Sequence, residues 1–276
     1  GFGVNAYYTG QDDFSGTADL NYMDNTKITY NKDKDSWEYS PVKYWPNNDG
    51  DKVSFFAYGP YAVSGGANNI TQTGTSLSFT VPAEVKQQVD LVYHNQNTNP
   101  TLNLVKPAVD ATVNFKFDHA LSRVSFTVEA AVDETTNGNN LLDGNTRINV
   151  KKIAITDGEF YESGVLNLTD GSWSNQDGSL SEFSFSGTDH FYHTVKDVNA
   201  EDMTGDEIDV IQLTRFNASK PQRVLNDESY LMIIPQENAE FKIYVEYDAI
   251  SGGYENNGSV TYDESAITNK IKSAPT

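Results

Sequence analysis

Two of the chain's four histidines stand close together, in the run Asp189-His190-Phe191-Tyr192-His193. Paired imidazoles are transition-metal chemistry, but the spacing works against a shared ion. In a strand, His190 and His193 point to opposite faces. They meet at one metal only inside a tight turn, and a structural or solvated role is the better reading. His119 directly follows Asp118. An Asp–His pair can orient a general base, yet acyl transfer also needs a positioned serine. Ser122 and Ser125 are ordinary in this composition, and there is no Gly-x-Ser-x-Gly. His119 therefore reads as a side chain satisfied within a bent strand. Acidic loops at Asp12-Asp13, Asp33–Asp35, Asn47–Asp51 and Glu201–Asp209 could gather calcium oxygens. None has the EF-hand spacing with its closing Glu, so solvated turns are expected. Glycosidase carboxylates are defined by a through-space separation that one sequence does not give. No P-loop, dinucleotide-binding glycine run or basic aromatic stripe is present. The expectation is no enzyme, no cofactor and no metal.

Charge and composition narrow the classes further. Lys+Arg is 19 against Asp+Glu 39, a net charge of −20. Phosphate backbones and anionic lipid headgroups would be repelled, which argues against nucleic acid and peripheral membrane partners. With no cysteine, disulfides, thiolate nucleophiles and Cys-zinc sites are impossible. No run is long and apolar enough for a spanning helix. The chain opens on strand-like Gly1-Phe2-Gly3-Val4 without an initiator Met, which suggests a processed or trimmed product. Its 276 residues suit two domains, each able to bury a core without disulfides. Aromatics, Gly, Asn, Asp, Ser and Thr are abundant and helical periodicity is scarce, so the chain reads as all-β.

The elements are organised around Trp37–Tyr61, where Trp37, Tyr39, Tyr44, Trp45, Phe55, Phe56, Tyr58 and Tyr61 crowd together. These aromatics could stack a sugar ring, but at strand spacing they are more often core. Pro41 denies a ladder N–H, so the strand holding Trp37 is short or lies at an edge. Asn47-Asn48-Asp49-Gly50 after Pro46 reads as a hairpin-type loop. Val53, Phe55 and Ala57 then alternate with Ser54, Phe56 and Tyr58, a strand covered on both faces. Trp45 and Phe55 are the expected core anchors.

Elsewhere, strands are expected at Phe2–Tyr8, Lys27–Tyr30, Leu77–Val81, Gly164–Leu168, Phe183–Phe185 and Val210–Thr214. Val85–Tyr93 reads as a turn into a strand. His94–Pro107, polar with two prolines, is the best linker. Val113, Phe115, Phe117 and Val124, Phe126, Val128 form one strand bent at a bulge, or two. The phase slip at Lys151-Lys152 predicts a β-bulge. Tyr230–Pro235 reads as a central strand buried on both faces. Phe241, Ile243, Val245 and Tyr247 predict a strand with one wet face, and Glu255–Thr276 reads as polar, without a closing strand.

Four stretches together resemble the fimbrillin family, the subunits and tip proteins of Bacteroidetes surface fimbriae. They are Trp37–Tyr58 (W-x-Y-x-P-x-K-Y-W-P, then V-S-F-F-A-Y), Gln88–Val92, Val113–Phe126 and Ile233–Gln236 followed by Phe241–Tyr247. Phe117-x-His119-Ala120-Leu121-Ser122-Arg123-Val124 is the most specific of these. The matching positions are Trp37, Trp45, Pro46, Phe55, Phe56, Tyr58, His119, Leu121, Arg123 and Pro235. The resemblance implies two transthyretin-like β-sandwiches in tandem, residues 1–107 and 108–276. It also implies export as a lipoprotein precursor with membrane contact only through its lipid anchor, and display at the outer membrane and cell surface. The implied role is a shaft, tip or anchor subunit that serves adhesion and joins related subunits by strand donation after proteolytic trimming. The family usually has a strand before Phe2 and an aromatic strand after Lys272, and the exchanged strands are expected to be those. The alternative is a non-polymerising surface adhesin or glycan-binding lipoprotein, with a host protein or glycan as ligand.

Overall fold

The computed structural model describes residues 1–62, 69–108, 112–130, 146–180, 182–184, 193–196, 207–214, 222–223, 230–254 and 262–272. Every ladder among them is antiparallel. The first sheet begins with β1 (Phe2–Gly10), β2 (Met23–Asn31), β3 (Ser36–Glu38) and β4 (Lys52–Gly59). The hairpin β5 (Ile70–Thr73) and β6 (Ser76–Thr80) leaves for another sheet. A 3-10 turn at Val85–Gln87 then leads into β7 (Val92–His94), as the sequence suggests. β8 (Leu104–Val105) and β9 (Phe117–His119) complete a sheet ordered β3-β2-β1-β4-β7-β9, with β8 also on β4.

β4 explains why this sheet has two buried faces. Val53, Phe55 and Ala57 join Val4, Ala6, Met23 and Ile28 in a small core. Phe56 and Tyr58 enter a much larger core with Tyr7, Ile70, Leu77 and Phe79. The alternation in the sequence is thus realised on both sides, and β3 is the three-residue edge strand expected before Pro41. Asn5 ties the layers together. Its amide donates to the Gly74 carbonyl at 2.7 Å and its Oδ1 accepts from the Asn25 N–H at 2.6 Å. Gly74, at φ +59°, opens the two-residue β5–β6 turn.

The remaining strands are β10 (Ser122–Val124), β11 (Thr127–Val128), β12 (Thr146–Thr156), β13 (Ser163–Asn167), β14 (Trp173–Asp177) and β15 (Phe183–Ser184). β16 (His193–Lys196), β17 (Glu207–Leu213), β18 (Gln222–Arg223), β19 (Leu231–Ile233), β20 (Lys242–Tyr254) and β21 (Tyr262–Lys272) follow. β16-β17-β12-β20-β21 form one sheet, with β15 on β12, and β14-β13-β6-β5 form another. The β6–β13 ladder, Ser76↔Asn167 to Thr80↔Ser163, therefore links the two halves of the chain. The expected bulge is present, because the β12–β20 register shifts between Val150 and Lys152.

Several expectations are corrected. Asn47–Gly50 turns the chain, with Gly50 at φ +84°, but β3 and β4 pair with β2 and β1 rather than with each other, so it is no hairpin. Leu231, Met232 and Ile234 are buried as expected, and among the described residues β19 pairs with β10 in a two-stranded sheet. Polar Tyr262–Lys272 does form a strand, backed by backbone pairing to β20. The His94–Pro107 stretch is packed. Gln96 and Thr101 are buried and both donate to the Phe55 carbonyl, at 2.7 Å each. Phe185, His190 and Glu201–Asp206 lie outside the described residues.

Candidate functional site: an apolar groove on the first sheet

The two faces of the first sheet are covered differently. The large core is roofed by β5, β6, β13 and β14, whereas the small core is met by irregular chain. A loop carrying Tyr39 and Trp45 packs on one part of it, and Leu104, Val113, Phe115 and Phe117 on another. Between them runs a groove of about 1130 Å³. Val4, Met23, Ile28 and Phe55 of the strands line it together with Trp37 and Tyr39 on one side and Val113, Phe115 and Phe117 on the other.

Local sequence sets both sides. The β3 edge ends before Pro41, and the loop beyond it is tethered by the Tyr22 hydroxyl, which donates to the Tyr44 carbonyl at 2.6 Å. On the far side, residues 112–116 are in no described ladder and approach β9 through side-chain ties. Asn99 Nδ2 donates to the Asn114 carbonyl at 2.6 Å, and the Lys116 N–H donates to His94 Nδ1 at 3.0 Å. His94 is almost wholly buried and stands edge-on to Phe115, with ring centroids 5.1 Å apart. Burial holds its imidazole below the ordinary histidine pKa, with backbone groups of Lys116 and Asn99 and the Asp118 charge pulling the other way. Phe2 spans the groove, its ring 5.1 Å from Trp37, 5.2 Å from Phe117 and 5.8 Å from Phe115.

Such a lining offers shape and apolar side chains, with few titratable groups. Asp90 is the carboxylate in its lining. It meets His119 Nδ1 at 2.8 Å, and His119 is 65 % exposed, so this is a solvated hydrogen bond rather than an oriented base. Asp118, the neighbour in sequence, instead accepts from Asn95 Nδ2 at 2.6 Å.

The residues singled out in the sequence do not share one site. Trp37 and Phe55 line the groove, and half-buried Trp45 packs on Phe55 at 5.8 Å, with half-buried Pro46 beside it. Phe56, Tyr58 and Leu121 belong to the large core. Arg123 is exposed and stacks on Tyr230, 3.1 Å from the ring centroid. Pro235 is exposed, and its carbonyl accepts from Gln176 Nε2 at 3.3 Å. Phe2, Val4, Met23 and Ile28 of the groove carry no signal beyond the strand patterns at Phe2–Tyr8 and Lys27–Tyr30, and Asp90 lies within the Gln88–Val92 stretch without being picked out.

No curated protein matches the chain. The structure is similar to a fimbrial protein from Bacteroides vulgatus ATCC 8482, with 24 % identity and a TM-score of 0.73 over 99 % of this chain and 80 % of that one. A candidate cell adhesion protein from Bacteroides ovatus ATCC 8483 gives a looser likeness, 14 % identity and a TM-score of 0.43 over 99 % and 85 % of the two chains. The fimbrillin-like family model matches residues 1–274, and the chain belongs to the fimbrillin-like family.

Proposed function

We propose that this protein is a cell-surface fimbrial component, a shaft or tip subunit serving adhesion, and that it is joined to related subunits by an extended strand seated in the apolar groove. The observation that carries the reading is the unequal covering of the first sheet. Among the described residues, one face is closed by strands, and the other is met by loops and an unladdered extended segment. A strand with apolar residues at alternate positions would supply backbone hydrogen bonds and fill the groove with every second side chain. The same reading includes two tandem transthyretin-like sandwiches divided near residue 107, export as a lipoprotein precursor to the outer membrane, proteolytic trimming and no enzymatic activity.

The absence of cysteine gives a clean test. Ser36→Cys and Asn114→Cys each place one thiol on the groove lining. Protease-trimmed precursor is incubated with or without a bulky maleimide and run on unboiled SDS gels. A ladder that the label abolishes supports seating in the groove. A ladder indifferent to the label at both positions removes the groove from assembly.

One observation favours the adhesin reading. Trp37 is 56 % exposed beside Tyr30 at 44 %, with the Asn31, Lys34 and Glu38 hydrogen-bonding groups next to them. Exposed rings flanked by such groups suit a sugar. Glycan-array binding lost in Trp37→Ala, with assembly retained, would identify that role.

A further inference from the structure

The bulge that the sequence marks at Lys151-Lys152 turns one lysine away from solvent. The β12–β20 register shifts between Val150 and Lys152, and Lys151 is the extra residue. A bulge re-aims a side chain that the pleat alone would send elsewhere. Here it brings Lys151 Nζ to two carboxylates of β20, 2.9 Å from Glu246 Oε1 and 3.4 Å from Asp248 Oδ1. The Lys151 side chain is 11 % exposed and that of Asp248 1 %, whereas Glu246 is 36 % exposed. Period two puts Glu246 and Asp248 on one face of β20, and Asp248 stands opposite Asn149 in the ladder. Asn149 is buried as well and accepts from Gln212 Nε2 at 3.3 Å. The lysine and the aspartate therefore meet in a polar layer shut off from water.

The two contacts of Lys151 differ in kind. The one to Glu246 has the length of an ordinary charge-assisted hydrogen bond, about 2.7–2.9 Å. The one to Asp248 is longer and matches the approach of about 3–3.5 Å from which groups held in place react. An amine beside a carboxyl group, with a second carboxylate on the amine, is an arrangement for amide condensation. Glu246 takes a proton from Lys151 Nζ and passes it to the Asp248 carboxylate. The amine then attacks Cγ and the Nζ–Cγ bond forms. A second proton, carried from Nζ through Glu246, lets one Asp248 oxygen leave as water. Ammonium and carboxylate become amide and water, so atoms and charge balance without any added reactant. Holding both partners in one fold makes the step unimolecular, and the uncharged product escapes the desolvation cost of a buried ion pair.

We infer that Lys151 and Asp248 are sites of covalent modification, joined to each other by an isopeptide bond that forms in the folded protein with Glu246 as its proton carrier. The bond fastens β12 to β20 and closes residues 151–248 into a loop, the constraint that a disulfide supplies in chains with cysteine. This chain has no cysteine. The link is separate from the groove and does not depend on its role.

Intact-mass measurement of the full chain, folded, incubated at neutral pH and then denatured, tests it. The wild type should be lighter than its sequence by the mass of one water. Trypsin should release residues 148–152 joined to residues 243–270, because an acylated Lys151 is no longer cut. Lys151→Arg keeps the positive charge but cannot form the amide, and should show the full sequence mass. Glu246→Gln leaves both joined groups in place and should leave most of the chain unlinked. A succinimide at an Asp-Gly step also costs one water, but it survives in Lys151→Arg, so that variant separates the two. The joined peptide from the wild type decides the matter whether or not a variant folds. A wild type of full sequence mass, or a water loss that persists in Lys151→Arg without the joined peptide, would overturn the link. Complete linkage in Glu246→Gln would overturn the part given to Glu246.

Discussion

Replacing Phe56 with alanine removes a ring that is fully buried in the large core. The ring stands edge-on to Tyr7 at 5.7 Å and 5.1 Å from Phe14. A buried aromatic side chain withdraws roughly 150–250 Å² from water. At about 25 cal/mol per Å² this is roughly 4–6 kcal/mol before the neighbours relax into the space. Measured Phe→Ala losses of about 3–5 kcal/mol overlap that range, a large share of the roughly 5–15 kcal/mol that holds an ordinary domain together. The assay is equilibrium urea unfolding followed by tryptophan fluorescence and far-ultraviolet dichroism. With a slope near 3 kcal/mol per M, the midpoint should fall by about 1–2 M. Trp37→Ala is the control, because Trp37 is 56 % exposed and its loss should stay within about 1 kcal/mol. The reasoning fails if Phe56→Ala moves the midpoint by less than about 0.3 M, or if Trp37→Ala costs as much as Phe56→Ala.

Trp45, half-buried on the small core, should cost about half as much as a buried aromatic, roughly 1.5–2.5 kcal/mol on substitution by alanine, read from the same urea curves. Gly171→Ala should be more damaging than its chemistry suggests. Its φ is +75°, worth about 1–2 kcal/mol against an L side chain, and the new Cβ would lie 2.0 Å from the Tyr93 hydroxyl, so thermal melting should show a clear drop. His94 gives a pH signature. Its folded-state pKa lies below the ordinary 6.5, so as pH falls through 6.5 the unfolded chain takes up the proton first. Stability then declines until the folded-state pKa is passed. His94→Gln should flatten the stability difference between pH 7 and pH 5, and an unchanged slope in that variant would place the acid sensitivity elsewhere.

Much of this architecture could be read from local pattern. Alternation across Val53–Tyr58 shows β4 to be two-faced, because period two sends neighbours to opposite sides whatever the rest of the chain does. Pro41 marks the end of an edge strand through its missing N–H, and the slipped phase at Lys151-Lys152 marks the bulge. The groove is less legible, since its sides come from residues roughly 75–80 positions apart, and the motifs on each side do not say that the two meet. β21 was missed because Tyr262–Lys272 has too few apolar residues to alternate, and its place is set by backbone pairing to β20. Buried Arg147, Asn149, Gln212 and Asp248 on the β12–β17–β20 sheet also defied the pattern. Lys151 reaches both Glu246 and Asp248, and Gln212 donates to Asn149 at 3.3 Å, so polar partners there replace the apolar signal that sequence reading relies on.

On the proposed reading, groove seating rests on apolar side chains, which salt does not weaken the way it screens exposed charge pairs over about 8–10 Å at physiological strength. A strand that entered the groove from a neighbouring molecule would make a heterologous contact, which repeats head to tail and builds an open chain. Raising the ionic strength should therefore leave such ladders intact on unboiled gels, and a ladder lost in salt would contradict an apolar seat.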